Sequence, residues 1–182
     1  DALNNTSQLS TAVTFTVIAP PSIAITAPGG INSMNASSYT VSGTCTTSAG
    51  TVSLAVGTVI SSAPCTAGAF TKTVNAVTVA DGAVTITASQ TNVAGTVSDS
   101  KNTVKDSTVV PPVIATPANN AMVSPQPTFT GTGEPGSTVT VRDGANPVCT
   151  ATTGSTGNWS CVSTLSTGTH TVTATQTDVA GN

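Results

Sequence analysis

The chain has 182 residues, of which 37% are hydrophobic, 6% charged and 3% aromatic, and its net charge at pH 7 is −3. Its four Lys and Arg residues, Lys72, Lys101, Lys105 and Arg142, are scattered, so no basic stripe exists to neutralise phosphates or anionic lipid, which argues against nucleic acid and membrane surfaces as partners. No run approaches the roughly 18 apolar residues of a membrane span, and the start, Asp1-Ala2-Leu3-Asn4-Asn5, lacks the basic and apolar regions of a signal peptide, so an internal or processed segment is expected.

The apolar content is mostly Val, Ala and Ile, and Thr is abundant. β-branched residues of this kind suit a half-buried pleated surface and disfavour helix. Taken in chain order, Thr6 to Ile18 reads as a strand in which Val13, Phe15 and Val17 alternate with Thr14 and Thr16, giving one apolar face able to cover a core. After Pro20-Pro21, alternating runs follow at Ile23 to Thr26, Tyr39 to Gly43, Thr51 to Val56, Thr58 to Ser62, Phe70 to Val74, Ala83 to Ser89 and Thr96 to Val104. These seven strands take the letters A to G. After Pro111-Pro112 come six more, at Val113 to Thr116, Thr128 to Thr132, Thr138 to Asp143, Val148 to Thr152, Asn158 to Ser163 and Thr169 to Thr175. Turn residues separate neighbouring runs, the pattern of a β-sandwich.

The segments starting at Asp1, Asn92 and Asp178 (Asp-Ala-Leu-Asn-Asn, Asn-Val-Ala-Gly-Thr and Asp-Val-Ala-Gly-Asn) begin 91 and 86 residues apart. The two Pro-Pro pairs are also 91 apart. Such a period is too long for helical solenoid repeats and right for sandwich modules. The expected boundaries are 1–21 for a strand of a preceding or neighbouring module plus linker, 22–110 for the first module and 111–182 for the second.

The run Gly131-Thr132-Gly133-Glu134-Pro135-Gly136-Ser137-Thr138-Val139-Thr140-Val141, followed by Gly157-Asn158-Trp159, by Thr169 to Ala174 and by Asp178-Val179-Ala180-Gly181-Asn182, resembles the bacterial immunoglobulin-like (Ig-like, Big-type) repeats of large surface adhesins and biofilm-associated proteins. The first module is similar more loosely, with Cys45 to Gly50 in place of the Glu-Pro-Gly loop and Phe70 in place of Trp159. The resemblance implies an all-β chain of two tandem Ig-like sandwiches, the second lacking its own G strand, outside a bacterial cell. The expected role is that of a non-enzymatic stalk or fibre segment, completed head to tail by strand 6–18 of an adjacent copy. The expected partners are copies of itself, with a surface glycan or matrix polymer as a further candidate. A carbohydrate- or host-protein-binding module and a donor-strand subunit of a pilus-like filament are the alternatives.

Residues that could carry chemistry are sparse. Gly131-Thr132-Gly133-Glu134-Pro135-Gly136 fits a GxGxxG string, but a strand follows where a dinucleotide site needs a helix. His170 is the sole imidazole, no G-x-S-x-G elbow exists, and Trp159 reads as core because its repeat-mate is Phe70. No cofactor is required on this reading. Asp106, Glu134 and Asp178 fall on the linker, the B to C loop and the F to G loop of the second module, which strand direction brings to one pole. Carboxylates suit calcium, and the resemblance implies calcium at such junctions, so these three form the expected ion site. Four cysteines, two per module, suit disulfides in an oxidising compartment. Strand order places Cys45 with Cys65 at one pole, and Cys149 with Cys161 as a cross-strand pair about Gly154-Ser155-Thr156-Gly157.

Overall fold

The computed structural model describes residues 9–182 as an all-β chain in which two sandwiches follow one another. The first unit holds β1 (Ile23–Ile25), β2 (Tyr39–Cys45), β3 (Thr51–Val56), β4 (Val59–Pro64), β5 (Ala69–Val74), β6 (Gly82–Asn92) and β7 (Gly95–Lys105). Its sheets are β1-β2-β5 and β4-β3-β6-β7. The second holds β8 (Val113–Thr116), β9 (Thr128–Thr132), β10 (Thr138–Asp143), β11 (Asn146–Thr152), β12 (Asn158–Val162) and β13 (Val172–Thr177), in sheets β12-β9-β8 and β11-β10-β13. The two units therefore share one topology, except that the second has no counterpart of β7 among the described residues. Every strand pairing within these sheets is antiparallel.

Period-2 alternation decides which side chains meet between the sheets. Val52, Leu54 and Val56 of β3 and Val84, Ile86 and Ala88 of β6 face Val41 of β2 and Phe70 of β5, all of them buried. In the second unit Phe129, Val139, Val141 and Trp159 form the buried core, with Ile114, Val172 and Ala174 only partly covered beside them. Trp159 and Phe70 are repeat-mates in structure as well. Each aromatic ring lies against a glycine of the neighbouring B strand, where a Cβ at Gly131 would sit 2.7 Å from Trp159 and one at Gly43 would sit 2.6 Å from Phe70.

Both cysteine pairs are disulfide-bonded, Cys45 to Cys65 and Cys149 to Cys161, each with Cα atoms 6.0 Å apart. Cys149 is on β11 and Cys161 on β12, strands of different sheets, so this bond crosses the sandwich and does not tie neighbours within a sheet. Strand F of the second unit starts at Val172 and not at Thr169. The cause is His170, whose Nδ1 meets Asp143 Oδ2 at 2.7 Å and whose Nε2 meets the Ser166 carbonyl at 3.0 Å, holding the chain in a loop.

Of the segment read as an N-terminal strand, the described residues pair with no strand. Residues 9–18 are in no sheet, and Leu9, Val13, Phe15 and Val17 are more than 80% exposed. Thr6, Ser7 and Gln8 lie outside the described residues.

Candidate strand-acceptor groove and inter-unit joint

Each F strand ends in the same device, a glutamine that pins its unit's B to C loop. In the first unit Gln90, 1% exposed, accepts the Thr46 N–H through Oε1 at 2.9 Å and donates from Nε2 to the carbonyls of Thr46 and Gly50. In the second, Gln176 Oε1 accepts from the Glu134 N–H and from Ser137 Oγ, while Nε2 donates to the Val110 carbonyl at 2.5 Å. The signal was present in the sequence as Gln-Thr-Asn at 90–92 and Gln-Thr-Asp at 176–178, repeated at the same 86-residue spacing as the loop that follows. It was missed because a buried glutamine inside an alternating strand reads as an ordinary polar position.

The edges differ between the units. In the first, β7 flanks β6 from Gly82 opposite Lys105 to Asn92 opposite Gly95, and Asp99 on β7 accepts the Ile25 N–H of β1 through Oδ2 at 2.8 Å, bridging the two sheets. That N–H holds the Asp99 carboxyl below its ordinary pKa, with Lys101 adding to the effect. In the second unit β13 pairs with β10 on one side, and its other edge meets no strand among the described residues. There an apolar groove of about 220 Å³ opens between β13 and the incoming linker, lined by Val110, Pro112, Ala174 and Gln176 among others. By the repeat, Ala174 and Gln176 correspond to Ala88 and Gln90, which β7 flanks in the first unit.

A second feature joins the units. The loop 178–182 of the second unit rests on the loop 30–35 of the first. Asn32 Nδ2 donates to the Ala180 carbonyl at 2.7 Å, the Ser33 N–H donates to Asn182 Oδ1 at 2.7 Å, and Asn182 Nδ2 donates to the Asp106 carbonyl at 2.9 Å. Asp178 closes its own loop by accepting the Asn182 N–H and side-chain amide. Burial works to raise the Asp178 pKa, but these hydrogen bonds together bring it below the usual carboxylate value.

The expected calcium site is not assembled. Both oxygens of Asp178 are engaged by Asn182, and Asp106 enters the joint through its backbone, its Oδ1 accepting the Thr108 N–H. Glu134 Oε2 is buried without a hydrogen-bond partner, the one observation that would favour an ion. Among the described residues no three His, Cys, Asp or Glu side chains gather to hold a metal. The residues present do not fit the ion as a set, and no role is derived through it. Asp81, beside the joint in the first unit's E to F loop, is paired with buried Lys105 at 2.6 Å, which holds its carboxyl below the ordinary pKa with help from Ser107.

Neither His170 nor Trp159 is placed for chemistry. His170 is held by Asp143 and the Ser166 carbonyl, and Trp159 is 4% exposed, out of reach of a sugar. No helix among the described residues is long and apolar enough to cross a membrane.

Two antiparallel sheets per unit, with seven strands in the first unit and six in the second and one disulfide in each, define a tandem Ig-like architecture. Residues 115–182 match the model of the bacterial Ig-like domain family. Among solved structures the chain is similar to the I-band fragment I67–I69 of titin, at 15% identity and a TM-score of 0.51, over 88% of this chain and 65% of that one. It is also similar to a chimeric titin Z1Z2, at 14% identity, TM-score 0.38, over 88% and 97% of the two chains. A biofilm-associated protein BSP domain is a third, at 22% identity, TM-score 0.31, over 87% of this chain and 28% of that one. At these identities the first likeness supports the fold alone. No curated protein sequence matches the chain.

Proposed function

We propose that the chain is a non-enzymatic structural repeat of an extracellular bacterial adhesin stalk or fibre, with boundaries near residues 22, 111 and 182. In it the segment 6–18 of one copy completes the second unit of the copy before it. The observation that carries this reading is complementarity. The outer edge of β13 is uncovered, while residues 9–18 are extended, exposed and unpaired. An open edge beside a partly covered core is unfavourable in water and accepts a further strand readily.

The repeat also supplies the register. Residues 1–21 lie over residues 92–112 without a gap, from the Asp/Asn loop to the Pro-Pro pair. Carrying the β6–β7 pairing across puts Gln8 opposite Ala174, Ser10 opposite Val172 and Ala12 opposite His170. The pairing is the same whether the copies are continuous in one polypeptide or separate subunits, and it extends in one direction without closing. Disulfides within each unit and the match of residues 115–182 to a bacterial Ig-like domain model support an extracellular location.

The test is a two-copy polypeptide in which Asn182 is followed by Thr6 of the second copy. Amide exchange at Val172, Ala174 and Gln176 of the first copy should slow by about tenfold or more relative to the single chain, as newly bonded strand amides do. Unchanged exchange there would overturn the reading.

A further inference from the structure

We propose that the free pole of the second unit, at Asn120 and Met122, is a docking surface for the Asn92–Gly95 loop of the next copy's first unit, with Phe15 packed into the joint between them. This rests on the head-to-tail reading above and adds to it the surface on which successive copies meet.

The joint inside the chain is the template. Its receiving half is Asn32 in the A to B loop of the first unit, and its inserted half is the carbonyl of Ala180 in the Asp-Val-Ala-Gly loop of the second. Both halves recur. The receiving loop runs from Pro28 through Asn32 and Met34 in the first unit, and from Pro117 through Asn120 and Met122 in the second. The inserted loop recurs as Asn92-Val93-Ala94-Gly95, with Ala94 in the place of Ala180. At the first joint Asn32 spends its side-chain amide on Ala180. No hydrogen bond engages the Asn120 side chain among the described residues, and Met122 and Val93 are 102% and 86% exposed. One receiver and one inserted loop are thus left unmatched within the chain, and each fits the other.

The connecting strand agrees. At the first joint the strand leaving β7 passes the receiving loop, where the Ile31 N–H donates to the Val104 carbonyl and the Asp106 N–H to the Ile31 carbonyl. By the 91-residue repeat, Phe15 stands where Asp106 does and Val17 where Thr108 does. Phe15 and Val17 therefore lie beyond the paired strand and not over the core of the second unit, whose cover falls to Gln8, Ser10 and Ala12. An apolar pair, 81% and 85% exposed in the single chain, is placed beside Met122 at the joint. Where the first joint relies on Asn182 and the Asp106 carbonyl, the joint between copies has Thr96 and Phe15, so apolar burial takes the larger share.

The test uses the two-copy polypeptide with Asn120→Cys in the leading copy and Ala94→Cys in the following one. Thiol oxidation followed by peptide mapping should link these two cysteines, as the pair Asn32→Cys with Ala180→Cys should link within one copy. A pair of Asn120→Cys with Ile60→Cys, on an exposed strand away from the joint, should stay unlinked. Linkage of 120 with 94 supports the joint, whether or not β13 amides are protected. Linkage at 32 with 180 but not at 120 with 94 overturns it, and if β13 amides are protected in that sample, strand completion stands while the joint fails. Phe15→Ser should lower the yield of the 120–94 link several-fold and leave the 32–180 link unchanged; equal loss at both would show that Phe15 has no special place at the joint.

Discussion

His170 shows how a single side chain sets a strand boundary. Both of its ring nitrogens face acceptors, the Ser166 carbonyl and the Asp143 carboxylate, so the protonated ring satisfies both at once. Its pKa is accordingly raised above the ordinary value, chiefly by the Ser166 carbonyl and then by Asp143. A raised folded-state pKa contributes stability that is complete below the unfolded value near 6.5 and fades as pH rises through the folded one. The second unit should therefore melt at a lower temperature at pH 8.5 than at pH 6, and His170→Asn should flatten that slope. Gly131 is a case of close approach. An added Cβ would lie 1.8 Å from the Val113 carbonyl and 2.7 Å from Trp159, so Gly131→Ala should displace β8 and cost about 1–3 kcal/mol in urea unfolding of the second unit. Trp159 and Phe70 were legible as core from their repeat spacing, whereas Gly131 and Gly43 were not. Glycine beside an aromatic from a distant strand has no local pattern, because the contact that requires it is made between strands B and E.

Strands were the easiest features to read, since Val and Thr alternate through nearly all of them and turn residues mark their ends. What the alternation could not give was where a strand yields to a side-chain clamp, as at His170, or whether an alternating segment has a partner, as at residues 9–18. Pairing is set by what lies next to a strand, not by its own pattern. The same limit applies to the core. Val172 and Ala174 alternate like Ile86 and Ala88, yet the first pair is half-covered and the second is buried, because only β6 carries a flanking strand on its outer side. The second unit, with four buried apolar side chains against eighteen in the first, should unfold first on heating in the single chain. Val172→Asp should widen that gap by about 2 kcal/mol or more, since it places a carboxylate among apolar neighbours. A calorimetric trace with one unchanged transition would contradict the assignment of Val172 to the core.

At the level of the whole chain, charge has almost no part in how the units meet. Lys105 is paired with Asp81 and Lys101 lies 3.6 Å from Asp99, both pairs inside the first unit, and Arg142 donates to a carbonyl in its own hairpin. The joint between units is instead made of Asn amides, backbone carbonyls and loop N–H groups, and the groove beside β13 is walled by Val, Pro and Ala. Salt screens interactions between exposed charges over about 8–10 Å at physiological strength and leaves neutral hydrogen bonds and apolar burial largely untouched. The head-to-tail contact should behave accordingly. In the two-copy polypeptide, protection of the β13 amides should change by no more than about twofold between 0.05 and 1 M NaCl, since among the described residues no ion pair joins the two units. Urea should act differently, releasing β13 protection of the leading copy at the same concentration that unfolds its second unit, because strand and sandwich share one core. Protection that collapsed between low and high salt would mean that charged groups carry the contact, and the neutral joint described by Asn32, Asn182 and their counterparts could not be its template.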